Sequence, residues 1–231
     1  RANPLVILLV FMEQTQATPP DFDAYYQMWV DRMANGHNAL SRAMHYGYTH
    51  NPEFAMSPDQ AKRATNALVA TRLNLSPEGT YVLADLGCGV GGTIPDMLQT
   101  FPNSHICAVN IHMPQLRLLR DFPCFPAERV SALNADFTRL PFRDNALDGA
   151  YAIDSSCYAP NKSVFYAEAM RCISPGNNLV VFDVFNKRLP ENSLERTALA
   201  RSLNGWAVPN WHPARLEGFF YSYRFTEVTE Y

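Results

Sequence analysis

The chain is 231 residues long, 47% hydrophobic and 18% charged, which suits one α/β domain with an insertion or a small cap. Its formal net charge is −3 with Lys and Arg scattered, which excludes a broad basic surface for nucleic acid. The five cysteines, Cys88, Cys107, Cys124, Cys157 and Cys172, contain no CxxC pair, and the histidines have no metal-ligand spacing. The reading is reduced thiols in a cytoplasmic protein without a metal site.

Residues 1–20 read as an N-terminal extension. Leu5 to Met12 (LVILLVFM) is apolar but too short to cross a bilayer, so no stable membrane insertion is expected. A run this apolar is expected to pack on a neighbouring subunit of a homo-oligomer, or else to be a tail outside the fold. The absence of an initial Met points to a longer gene product. Thr18-Pro19-Pro20-Asp21 then breaks the chain and starts a helix. Asp21 to Tyr46 reads as helical with an interruption near Asn35-Gly36. Pro58 to Leu75 reads as a second helix with apolar positions at Ala61, Ala64, Leu68 and Leu75. Residues 21–75 together make a helical lid region.

From Tyr81 the pattern becomes strand, loop, helix, repeated. The strands are expected at Tyr81–Asp85, His105–Asn110, Arg129–Asn134, Asp148–Ile153 and Asn178–Phe185. The helices are expected at Ile94–Thr100, Pro114–Arg120 and Ser163–Cys172. Alternation of this kind implies a doubly wound, mostly parallel sheet. The domain runs over 76–231, with a cap inserted at about 187–215.

The segment Val82-Leu83-Ala84-Asp85-Leu86-Gly87-Cys88-Gly89-Val90-Gly91-Gly92 lies between the first of these strands and its helix. Gly87, Gly89 and Gly91 let the backbone turn tightly and let a ligand approach it. No GxxxxGK[ST] lysine follows, which argues against a nucleoside triphosphate. A nicotinamide dinucleotide would want an acidic residue at the end of the second strand, where Asn110 stands. The loop therefore favours S-adenosylmethionine. Gly92 either follows the loop in contacting ligand or only allows close packing.

VLADLGCGVGG resembles motif I of the class I methyltransferases, and the resemblance extends over about Tyr25 to Phe185. It implies a Rossmann-like fold with S-adenosyl-L-methionine as cofactor. It also implies cofactor contacts at Asp85, Gly87, Cys88 and Gly89, at Asn110, Ile111 and Gln115, and at Asp136, Phe137 and Ile153. Asp85 would approach the methionine amino group. Asn110 takes the place of the usual acidic ribose ligand, and its amide would bond a hydroxyl. Asp136-Phe137 would hold the adenine. Tyr25-Tyr26 resembles the lid helix of sterol and tocopherol methyltransferases, which implies that Tyr25 and Tyr26 also contact the cofactor, and Met44-His45-Tyr46-Gly47-Tyr48 resembles their HxGY segment. The stretch from Leu140 to Lys162, with Tyr151-Ala152-Ile153-Asp154-Ser155-Ser156-Cys157-Tyr158-Ala159-Pro160, is similar to sterol 24-C-methyltransferases and to terpenoid and prenyl-alkaloid C-methyltransferases. Asp154 stands where they have Glu and Tyr158 where they have His. Sheets of this class carry two more strands after the fifth, the last antiparallel and beside it. Only Tyr223–Thr229 is a candidate here, so the chain is expected to continue.

The resemblance implies a small apolar or prenylated acceptor. Transfer to an alkene needs no base for the attack but leaves a carbocation, which wants π-faces and a group to take a proton. Asp154, at the carboxyl end of a strand, is the candidate base; the plainer reading is a turn cap or a water-mediated contact to the cofactor amine. Tyr158 is the candidate neighbour of the cation, or simple lid packing. His45 binds acceptor or, as favoured, supports the turn at Gly47. The competing functions are N- or O-methyl transfer and a cofactor-binding assembly partner without activity.

Overall fold

The computed structural model describes residues 5–10, 22–35, 42–48, 56–121, 127–184, 190–205, 207–209 and 227–230. In chain order these form β1 (Leu5–Val10), α1 (Phe22–Ala34), α2 (Pro58–Arg72), β2 (Val82–Leu86), α3 (Ile94–Thr100), β3 (His105–Asn110), α4 (Met113–Arg120), β4 (Val130–Asn134), β5 (Gly149–Ile153), α5 (Lys162–Cys172), β6 (Leu179–Val184), α6 (Ser193–Gly205) and β7 (Glu227–Glu230). The sheet order is β4-β3-β2-β5-β6-β1-β7, and every ladder between the described strands is parallel.

Both faces of the sheet are covered, as parallel strands require. Ala84 and Leu86 of β2 point to the face packed by Phe165, Tyr166, Ala169 and Cys172 of α5. Leu83, one residue out of phase, points to the face covered by Val69 and Ala70 of α2, Ile94 and Met97 of α3, and Leu116 and Leu119 of α4. The period of two therefore aims Asp85 at the second face, opposite Tyr151 on β5.

Three expectations change. The N-terminal run does not leave the chain for a neighbour. Leu5–Val10 lies along β6, with Leu5 opposite Leu179 and Val10 opposite Val184. A short β-branched, apolar run has the composition of a strand buried on both faces, and its place before the lid disguised it. The strand expected over Tyr223–Thr229 is described as β7, which pairs parallel to β1. The helical lid expected over 21–75 divides. Of the two described helices α1 lies over the site, while α2 buries Ala61, Lys62, Thr65, Asn66, Val69 and Ala70; of the expected apolar positions Ala61 is buried, and Leu68 and Leu75 pack partly buried against the core. A capping box holds its start: Ser57 Oγ accepts from Gln60 N (3.2 Å), and Ser57 N donates to Gln60 Oε1 (2.8 Å). Arg42 to Tyr46, expected within a helix, belongs instead to a strap over Arg42 to Tyr48 without regular structure. Of the expected cap over 187–215, residues 187–189, 206 and 210–215 lie outside the described residues; within it α6 buries Leu199 and Leu203 against Cys157 and Val208. Cys124 and the aromatic residues from 211 to 221 also lie outside them. Among the described residues no helix is long and apolar enough to cross a membrane.

Candidate active site

The glycine loop leaves the end of β2 in a turn that only glycine takes without strain. Gly87, Gly89 and Gly91 have φ of 88°, 54° and 81°. Gly87 N and Cys88 N both donate to Val109 O, at 2.9 and 3.0 Å, which ties the loop to β3. A Cβ on Gly87 would stand 2.5 Å from that of Ser155, whose hydroxyl donates to Leu86 O (2.6 Å). Gly92 serves close packing: a Cβ there would meet Ala43 N at 2.2 Å, so the strap's backbone runs directly against the loop.

A cavity of about 800 Å³ opens at the carboxyl ends of β2, β3, β5 and β6, where open α/β sheets bind ligands. Asp85, Gly87, Cys88, Gly89, Asn110, Ile111, Gln115, Asp136, Phe137 and Ile153 all line it. Asp85 is 4% exposed, and its Oδ2 has no partner among the described residues. Burial raises its pKa to about 7, opposed by the Tyr151 hydroxyl across the ladder. An unpartnered buried carboxylate costs stability unless a ligand's cation meets it, and an ammonium fits that demand.

Asn110 departs from its expected role. Its Nδ2 donates to Gly89 O (3.0 Å) and Gln115 Oε1 (2.8 Å), and its Oδ1 accepts from His112 N (3.0 Å). The amide is consumed in shaping the loop. The buried group left without a partner is Gln115 Nε2, a donor suited to a ribose oxygen. Ile111, 60% exposed, and Phe137, edge-on to Phe165 at 5.1 Å, offer apolar surface for a base. Asp136 Oδ1 is capped by the Thr138 N–H (2.8 Å) and hydroxyl (2.7 Å). Asp85 and Gln115 together fit S-adenosylmethionine, whose ammonium and ribose supply the groups they lack. Burial raises the Cys88 and Cys157 thiols, which favours their neutral form.

The far half of the cavity is aromatic. Tyr158, in the single turn Ser156–Tyr158, stands 5.6 Å from Tyr26, 6.3 Å from Tyr25 and 6.3 Å from Phe22, all on α1. Tyr26 also faces His112 at 5.5 Å, so the lid helix bridges both rims. Burial raises the phenols of Tyr26 and Tyr158, which keeps them neutral.

Asp154 ends β5 at φ 46°, a left-handed geometry that Asp tolerates. Its Oδ2 accepts from Tyr46 N (2.8 Å) and so pins the strap. Burial and the nearby Asp183 raise its pKa, and the Tyr46 N–H partly offsets this. The strap is held from α2 as well, by Lys62 Nζ on Ala43 O (2.7 Å) and Tyr48 N on Thr65 Oγ1 (2.8 Å). His45 is buried and neutral, its Nδ1 on Tyr46 O (2.8 Å), which is the geometry of a support.

Sequence reasoning missed Met44, His112, Ser155 and Asp183, all of which line the cavity. Asp183 had a signal: it is the one charged residue in the apolar run of β6. It accepts from Ser156 Oγ (2.5 Å) and Cys157 N (2.8 Å) and so holds the turn that presents Tyr158. Asp148, which accepts from Val82 N (2.8 Å), ties two strands and lies away from the cavity.

Residues 84–181 match the methyltransferase domain family, and with this fold and loop the chain belongs to the class I S-adenosylmethionine-dependent methyltransferases. Its relatives divide in chemistry. It is 28% identical to the O-methyltransferase cnsE of Penicillium expansum over 184 residues, which make up 76% of this chain and 62% of that one. It is 27% identical to the sterol 24-C-methyltransferase ERG6B of Gibberella zeae over 154 residues, 64% of this chain and 40% of that one. It thus spans only part of their length. The geranyl diphosphate C-methyltransferase of Streptomyces coelicolor shares the fold, with a TM-score of 0.68 and 19% identity over 91% of this chain and 81% of that one.

Proposed function

We propose that this protein methylates a carbon–carbon double bond in an isoprenoid part of a small acceptor. The observation that carries this reading is one cavity that runs from the glycine loop to the rings of Tyr25, Tyr26 and Tyr158, with Asp154 in its wall. S-adenosylmethionine, when bound, supplies an electrophilic methyl on its sulfonium. The chain's own part is first alignment, since both reactants must be held in line. Asp85 and Gln115 orient the cofactor end, and the strap and α1 exclude water. The three tyrosine rings offer neutral π-faces to positive charge that develops on the acceptor. Asp154, or a water it positions, takes the proton that restores neutrality.

Transfer to oxygen or nitrogen is the competing reading, favoured by the relative named as an O-methyltransferase. Turnover of methyl-labelled cofactor against prenylated acceptors, phenols and amines separates the two. Label on a former alkene carbon is expected. Label found only on oxygen or nitrogen overturns the proposal.

A further inference from the structure

We infer that the acceptor carries a basic nitrogen, and that the aromatic half of the cavity is built for a cationic head rather than a phosphate or diphosphate. This rests on the reading of that half as the acceptor site, but not on which atom is methylated.

The cofactor accounts for Asp85 and, at the adenine end, Asp136. Three further carboxylates line the same cavity: Asp23 on α1, Asp154 at the end of β5, and Asp183 on β6, which also holds the turn at Ser156 and Cys157. Proton loss in turnover needs one carboxylate at most. Cations to oppose them are scarce among the described residues. No lysine lines the cavity, and its two guanidiniums are engaged. Arg42 donates to Leu118 O (3.0 Å), and Arg32 lies over the Trp29 ring at 5.1 Å. The two buried lysines nearby turn into the fold. Lys62 bonds Ala43 O (2.7 Å), and Lys162 bonds Cys157 O and Ala159 O. A diphosphate placed here would face these carboxylates, with Arg32 and Arg42, each already engaged, as the cations of the described lining.

The walls point the same way. Tyr25, Tyr26 and Tyr158 cluster in the wall of the cavity that Asp154 also lines, and rings with a carboxylate are the usual surroundings of a bound ammonium. Asp154 lines the cavity and holds the strap through Oδ2. The buried Nδ1 of His112, on the rim that Tyr26 covers, is unpartnered among the described residues. Burial keeps that ring neutral, so it adds no positive charge and can accept from an N–H.

The test is binding, measured by calorimetry on the full chain saturated with S-adenosylhomocysteine. Three probes share one apolar chain: geranylamine, geraniol and geranyl diphosphate. Geranylamine is expected to bind at least tenfold more tightly than geraniol, and geranyl diphosphate more weakly than either. Asp154→Asn keeps an oxygen for the Tyr46 N–H and removes the charge. In it the amine's advantage is expected to fall below threefold, with the affinity for S-adenosylhomocysteine kept as the check on folding. The wild-type ranking needs no variant and stands by itself. Diphosphate binding first, three equal affinities, or no saturable binding by any probe would overturn the inference. If the amine ranks first and no label reaches an alkene carbon, the methylation reading fails and this one stands.

Discussion

Asp85 is a carboxylate held near neutrality by burial, and its consequences follow from sign. Its folded pKa, about 7, lies above the ordinary value of 3.8, so the unliganded fold is destabilised as pH rises through that interval. Asp85→Asn should therefore stabilise the unliganded protein at pH 8, by on the order of 3 kcal/mol or less, and raise its melting temperature. The same change should remove most of the thermal shift given by S-adenosylhomocysteine. In the wild type, cofactor affinity should drop as pH falls from 8 to 6, because the protonated acid no longer pairs with an ammonium. Calorimetric titration across that range checks both statements. Asp154 and Tyr158 separate in a similar way. Asp154→Asn leaves the left-handed backbone unstrained and should slow turnover or change the product mixture with little loss of cofactor binding. Tyr158→Ala also removes apolar surface and a π-face, so acceptor KM should rise by roughly tenfold or more. An Asp154→Asn enzyme with wild-type rate and products would leave the carboxylate only its hold on the strap.

Among the elements, the strap from Arg42 to Tyr48 decides whether the cofactor end is closed. It has no regular structure, yet the Lys62, Thr65 and Asp154 side chains hold it, and Gly92 admits its backbone. Gly92→Ala puts a methyl where Ala43 N already lies, so loop and strap must part. We expect a loss of about 1–3 kcal/mol in stability, typical of overpacking, and at least tenfold weaker binding of S-adenosylhomocysteine. Denaturant melts with and without that ligand measure the two effects separately. The strap's sequence, Met44-His45-Tyr46-Gly47-Tyr48, was recognisable, but its conformation was not. Helix α1 ends at Ala34, beside the interruption expected at Asn35-Gly36, but no local pattern showed that Arg42 to Tyr48 forms a strap held by α2 and Asp154. His45 shows the same limit, since a histidine beside a glycine reads equally as ligand or support.

For the whole molecule, β1 closes the sheet against β6 and supports β7. Deleting residues 1–12 should strip both ladders and lower the melting temperature by on the order of 10 °C, beyond what loss of a surface tail would do. Scanning calorimetry of the truncated chain decides it; an unchanged midpoint would return this segment to the status of a tail.

The sequence by itself determined the alternation of strands and helices, because periods of two and of 3.6 are local properties. It determined the glycine loop too, since only glycine occupies three left-handed positions so closely spaced, and Asp85 before it. Tertiary structure decided what each polar atom meets. Asn110 was open to a ribose hydroxyl in the sequence, and only the fold brings Gly89 O and Gln115 to its amide. Asp183 looked like part of an apolar strand until the turn at Ser156 and Cys157 closed over it. The apolar run at Leu5–Val10 carried the signal of a strand, but its partner lies 174 residues away at Leu179–Val184. Hydrogen-bond satisfaction and long-range pairing depend on where distant segments meet, and no local pattern encodes that.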